Sequence, residues 1–249
     1  MSAPVFFATR EALVNGGSDV AVLDGPDGRH AVSVRRLGVG ESIVLTDGCG
    51  LLVRGTVASI TSSTSLTVHV DERREEPAPE PRLVVVQAIP KGERGELAVS
   101  LLTEVGVDVI VPWSASRCVA QWRGDRGQKS WTKWVSTARE SGKQSRRLWW
   151  PDVRQVASTA DVNALIAGAS AATVLHEEAE APLAGWAMPV AGDVVLVVGP
   201  EGGIAPDELE AFTRAGAAPL HLGPSVMRTS TAGAAAASVL LAASGRWSR

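Results

Sequence analysis

The chain has 249 residues, 45% apolar and 20% charged, which excludes a disordered or fibrous polypeptide and leaves enough length for a substantial core. Its formal net charge of -3 argues against a generically basic nucleic-acid binder, and its most apolar stretch, residues 232–243, is too short and alanine-rich to cross a bilayer. Residues 1–10 lack a secretory pattern, and Cys49 and Cys118 sit in no metal-like spacing, so a cytoplasmic protein with free thiols and no metal is expected.

Short β-rich runs at residues 20–23, 43–45, 51–60 and 66–70 alternate with turns rich in Asp, Gly and Ser, predicting a small all-β barrel or sandwich. The charged, then proline-rich run from Asp71 to Pro81 reads as a linker, which gives domains of 1–72 and 82–249 joined by residues 73–81. Beyond it the rhythm changes. Residues 83–89 are a continuous apolar run, as in a strand buried on both faces. Ala98, Leu101, Leu102 and Val105 have helical spacing, and so do Trp131, Trp134, Val135 and Ala138. Strands are predicted at residues 109–111, 173–175, 194–198 and 219–222, with a helix from Pro206 to Ala215 whose early acids complement its positive start. This order predicts an α/β domain with a mostly parallel sheet and helices on both faces.

Charge is unevenly placed. Residues 117–154 carry ten Lys or Arg against three acids, a local excess of +7. Such a run either guides a polyanion to one face or is a solvated helix surface.

Common cofactor and nucleophile signatures are missing. There is no Gly-x-Gly-x-x-Gly after a strand, no Gly-x-Ser-x-Gly, and no His/Cys metal set. Two loops remain. Gly199-Pro200-Glu201-Gly202-Gly203 directly follows a predicted strand, where parallel sheets bind ligands, although a tight turn without a ligand has the same composition. Leu222-Gly223-Pro224-Ser225-Val226-Met227-Arg228 runs into the alanine-rich segment, with Ser230 or Thr231 as the expected helix cap. Arg228 is the one charge in a long neutral stretch, so it is either functional or paired with an acid such as Glu201 or Glu208.

These two motifs, in this order, resemble those of the SPOUT superfamily of knotted methyltransferases, and most closely its RsmE family, which methylates N3 of a uridine in small-subunit (16S) ribosomal RNA. Lys91-Gly92-Glu93, then Leu101, Glu104, Gly106 and Val107, are similar to further family segments, as are Ser116-Arg117-Cys118 and the stretch from Ala138 to Arg147. Arg10, His30 and Val34-Arg35-Arg36-Leu37 resemble the family's PUA-like domain. The chain departs where the family shows Arg-x-Glu-Thr, with Arg228-Thr229-Ser230-Thr231 instead.

The resemblance implies a PUA-like RNA-binding barrel followed by a SPOUT trefoil-knot domain, a homodimer, and S-adenosylmethionine as cofactor. It implies that Leu175, His176, Gly199, Pro200, Glu201, Gly202, Gly203, Leu222, Gly223, Met227 and Arg228 hold the cofactor. Arg228 would also stabilise charge on the uracil as its proton leaves. His176 and Glu177 are candidate bases, with a hydrogen-bonded core histidine as the other reading of His176. Arg10, Arg35, Arg36, Arg117, Arg139, Lys143, Arg146 and Arg147 would bind small-subunit ribosomal RNA, free or in the assembled subunit, and one of the nearby tryptophans could stack on a base. Methylation of ribose or transfer RNA, or an RNA-binding assembly factor without catalysis, are the alternatives.

Overall fold

The computed structural model describes residues 3–14, 17 and 19–248, so the outermost predicted bounds, Met1 and Arg249, lie outside the described residues. The chain divides into two units. One comprises Met1–Ala78 with Gly142–Trp150, the other Pro79–Ser141 with Pro151–Arg249.

The first unit holds β1 (Val5–Phe7), α1 (Arg10–Val14), β2 (Val20–Leu23), α2 (Gly25–Arg29), a π-helical turn (His30–Val34), β3 (Ser42–Thr46), β4 (Leu51–Ser62) and β5 (Ser65–Glu75). Its sheet order is β1-β3-β4-β5-β2, antiparallel except for the β1–β3 pair. Alternate residues such as Leu51, Val53 and Val57 turn inward to join Phe6, Leu13, Leu23, Ile43, Leu45, Leu66 and Val68 in one core. The unit is therefore not purely β, since α1 and α2 pack with the strands.

Two sequence expectations change here. The predicted linker begins too early, because β5 continues through Asp71–Glu75, with Glu72, Arg73, Arg74 and Glu75 opposite Arg54, Val53, Leu52 and Leu51. A strand needs backbone partners more than apolar side chains, and these charges face solvent or other polar groups. Arg54 pairs with Glu72 at 3.6 Å, and Arg73 donates to the Leu13 carbonyl at 2.9 Å.

The second change is larger. Gly142–Trp150 belongs with the first unit, although it lies more than sixty residues beyond it in sequence. The backbone N–H of Gly50 donates to Leu148 O at 2.9 Å and that of Trp150 to Gly48 O at 2.9 Å. Gly48 and Gly50 have positive φ (69° and 98°), and a Cβ on either would fall 2.5 Å from the Trp150 ring or 2.8 Å from the Trp149 ring. Lys143 Nζ meets Asp27 Oδ1 at 2.9 Å, with both side chains 8% exposed.

The second unit holds β6 (Arg82–Ala88), α3 (Arg94–Val105), β7 (Val109–Trp113), most of α4 (Gly124–Gln144), β8 (Asp152–Val153), α5 (Thr159–Gly168), β9 (Ala171–Leu175), β10 (Asp193–Val198), α6 (Pro206–Arg214), β11 (Ala218–Leu220) and α7 (Thr229–Ala243). Its sheet order is β11-β9-β10-β6-β7-β8, and every pair is parallel. Alternation along the central strands feeds two cores. Leu83, Val85, Val194 and Leu196 meet α3, α4 and α7 on one face. Val84, Val86, Val195 and Val197 meet α5 and α6 on the other. The expected cap of α7 shifts as well: Arg228 is the N-cap residue, without a side-chain bond, while Thr229 and Ser230 lie buried in the first turn.

Removing one partner of the buried Lys143–Asp27 pair strands a charge. Lys143→Met should cost about 3–5 kcal/mol in urea unfolding, and Asp27→Leu added to it should recover much of the loss. At the start of the parallel sheet, Arg82 grips Asp193 through two bonds of 2.7 Å and holds its carboxyl below the ordinary aspartate pKa. A depressed folded-state pKa contributes stability above the ordinary value and loses it as pH falls through the depressed one. The stability gap between wild type and Asp193→Asn should thus be full at about pH 6 and shrink below about pH 4, staying within about 1 kcal/mol for so exposed a pair.

Candidate active site

Because β9, β10 and β11 are parallel and close in the sheet, their C-terminal ends present their loops together. Residues 175–177, 198–201, 203–204 and 221–229 line a cavity of about 380 Å3. It brings together ten of the eleven predicted cofactor residues: Leu175, His176, Gly199, Pro200, Glu201, Gly203, Leu222, Gly223, Met227 and Arg228. Gly202 does not line it and is packed instead on Arg117, whose backbone O lies 3.3 Å from where a Cβ would stand. Gly199 is required by space, since a Cβ there would come within 2.7 Å of Ile204.

The loops are tied to one another by backbone bonds. Leu183 N–H donates to His221 O at 2.8 Å, and His221 N–H donates to Ala181 O at 3.0 Å, so the β9–β10 connection holds the chain leaving β11. The imidazoles of His176 and His221 accept at Nδ1 from the N–H of Glu178 (3.3 Å) and Gly223 (3.0 Å). An accepting Nδ1 leaves the neutral ring its proton at Nε2, so both histidines offer a donor to the cavity. Glu177 is exposed at the cavity and makes no ion pair among the described residues.

Arg228 is exposed and has no ion-pair partner among the described residues, so neither suggested acid neutralises it. Glu201 Oε1 accepts from Lys91 N–H at 3.3 Å. Glu208 is 4% exposed and accepts from Ser116 N–H, Ser116 Oγ, Thr159 Oγ1 and Ala205 N–H at 2.9–3.3 Å. That buried carboxylate pins the Ser116-Arg117-Cys118 loop to the start of α6. Burial also pushes the Cys118 thiol pKa up, which suits a packing residue and not a nucleophile.

One residue at the site escaped the sequence reading. Gln87 interrupts the apolar run of β6 and is fully buried. Its Nε2 donates to Ala88 O (3.1 Å) and Thr229 O (3.3 Å), fixing the first turn of α7 next to Arg228. Its polarity within a buried strand was the signal. Gly233 leaves room for the amide, with Gln87 Oε1 only 3.1 Å from where its Cβ would be.

The eight predicted RNA contacts are divided between the two units. Arg10, Arg35, Arg36, Lys143, Arg146 and Arg147 belong to the first unit, Arg117 and Arg139 to the second. Lys143 is a correction, because its ammonium is buried on Asp27 and presents no charge to solvent. Arg10 is bound by Asp47 at 3.0 Å and by Glu75, which together raise its pKa. Arg117 donates to Gly202 O at 3.2 Å. Arg35 and Arg36 are exposed without ion pairs among the described residues. No helix is long and apolar enough to cross a membrane, and no cluster of His, Cys, Asp or Glu suited to a metal occurs among the described residues.

The comparisons converge on this architecture. A model of the RNA methyltransferase PUA domain matches residues 23–71, and one of the RNA methyltransferase domain matches residues 76–241. The chain is 46% identical over 232 residues to ribosomal RNA small subunit methyltransferase E of Mycobacterium tuberculosis, covering 92% of this chain and 88% of that one. Its identity to the Bacillus subtilis protein of the same name is 26% over 220 residues, covering 84% and 85%. The structure of Legionella pneumophila Lpg2936, solved with bound SAM, is 27% identical, superposes with a TM-score of 0.84, and is covered over 98% of both chains. With the motif order, the N-terminal PUA domain and the cavity at the sheet edge, this chain belongs to the RsmE family of RNA methyltransferases.

Proposed function

We propose that this protein is an S-adenosylmethionine-dependent methyltransferase acting on N3 of one uridine in small-subunit (16S) ribosomal RNA, free or within the assembled subunit. The observation that carries the reading is the cavity built by three loops at parallel strand ends, with an unpaired arginine at its edge. Its residues suit the cofactor. A volume of about 380 Å3 lies in the range of small-molecule sites. Leu175, Val198, Leu222, Met227 and Ala232 provide apolar walls, and His176, His221 and the loop backbone offer hydrogen bonds. Glu177 and Glu201 place carboxylates where a positively charged sulfonium is favoured.

When bound, S-adenosylmethionine supplies a methyl group already activated for transfer. The work left to the protein is alignment and charge control. Arg228 stabilises the negative charge that grows on the uracil oxygens as N3 loses its proton. Glu177 receives that proton, since an ionised carboxylate is acceptor-only whereas His176 already commits Nδ1 to a backbone N–H. Ser230 is buried in α7 and leaves no carboxylate at that position, so proton acceptance rests on the β9 loop. The protein acts as a cytoplasmic homodimer; exposed Val226 (81%) and Met227 (41%) at the cavity rim support an apolar partner surface there.

Titration calorimetry should show saturable S-adenosylmethionine binding by wild type, and Leu222→Trp, which fills the cavity, should bind at least about tenfold more weakly with its fold intact. Absence of wild-type binding, with or without RNA, would leave an RNA-binding protein without catalysis. With cofactor saturating, Arg228→Ala should lower the single-turnover rate on small-subunit RNA by about 10²–10³. Mass analysis of the product should find 3-methyluridine; a methylated ribose would overturn the assignment.

A further inference from the structure

Six of the eight tryptophans lie between residues 113 and 150. All six have packing roles, with Trp122 edge-on to Trp134 at 4.9 Å and Trp131 against the same core, but four are accounted for by packing alone. Trp113 and Trp134 are core residues at 0% and 3% exposure, while Trp149 and Trp150 fill the spaces over Gly50 and Gly48. Trp122 and Trp131 remain half-buried, and both line one small cleft of the second unit, away from the cofactor loops in its lining. Gly124, Gln128 and Trp131 share a face of α4, and Gln155 and Val156 complete the cleft from the stretch after β8.

The chemistry of this cleft is specific. Its volume is about 150 Å3, a size that holds a single six-membered aromatic ring. The Trp131 indole N–H is already committed to Arg154 O at 2.9 Å and Val153 O at 3.2 Å, so Trp131 offers a guest only ring surface. Gln128 and Gln155 are exposed amides that both donate and accept. Arg123, between Trp122 and Gly124 of the lining, is exposed and without an ion pair among the described residues. Aromatic surface, edge-reading amides and an adjoining cation form the combination that binds an unstacked base on a polyanionic strand.

We propose that the cleft between Trp122 and Trp131 holds a second, unmethylated pyrimidine of the RNA substrate, while Arg123 binds its neighbouring phosphate. This rests on the RNA-methyltransferase reading and adds a substrate-positioning subsite to it. The same loop joins the two places, since Arg117, five residues before Trp122, donates to the Gly202 carbonyl of the cofactor loop.

The test uses the full-length protein and a small-subunit ribosomal RNA transcript carrying 5-iodouridine. Photocrosslinking should place a label on Trp122 or Trp131. Val156→Trp, which fills the cleft, and Gln128→Ala with Gln155→Ala, which removes its amides, should each weaken RNA binding by about tenfold. S-adenosylmethionine affinity and melting temperature should stay at wild-type values, and the amide-free variant serves if Val156→Trp unfolds. RNA affinity equal to wild type in folded variants overturns the subsite, as does a crosslink confined to other residues, which would mark a base held elsewhere. Failure of wild type to bind the transcript at all would instead overturn the underlying substrate assignment, and the subsite with it.

Discussion

The pairing of β10 with β6 on one side and β9 on the other sets the geometry of the methyltransferase unit. β10 runs from Asp193 to Val198 in register with Arg82 to Gln87, and it separates β6 from β9, although both precede it in sequence. A strand laid last between two others must satisfy backbone bonds on both edges and apolar packing on both faces, which its Val-Val-Leu-Val-Val run does. Once it is in place, the loop after it opens beside those after β9 and β11. The cavity is therefore a consequence of strand order; Gly199 is needed because the space at its base is so small, and Gly203 because its φ is positive.

Much of that plan was legible in the residues. Strands of the parallel sheet announce themselves as short apolar runs, and α6 by proline and acids at its start. What escaped were elements too short for periodicity to speak, such as β1 and β8, and α5, which begins at a Ser158–Asp161 capping box but buries only Val162 and Ile166. The strand character of Asp71–Glu75 was hidden because its pairing is a backbone property, invisible to side-chain hydropathy. The ten cavity residues could be grouped in advance through the resemblance, whereas Gln87 could have been found from polarity alone.

Charge was the least readable feature. A linear count treats residues 117–154 as one basic segment, yet the chain hands residues 142–150 to a different unit and buries Lys143 on the way. Burial converts that lysine from a surface attraction into part of a fold, since an ammonium away from water is stable only beside its carboxylate. The tryptophans divide in the same manner. Those meeting glycine or the core are packing residues, while the half-buried Trp122 and Trp131 line a cleft.

The return of residues 142–150 to the first unit also bears on the order in which the protein matures on the ribosome. Domains usually fold as the N-terminal part of the chain emerges. Here the first unit has all five of its strands by Glu75, yet it lacks the cation for Asp27 and the rings that cover Gly48 and Gly50 until Trp150 has been made. Its completion is therefore delayed until two of the six strands of the methyltransferase sheet have been synthesised, and an N-terminal fragment ending at the linker is an unfinished domain and not an independent module.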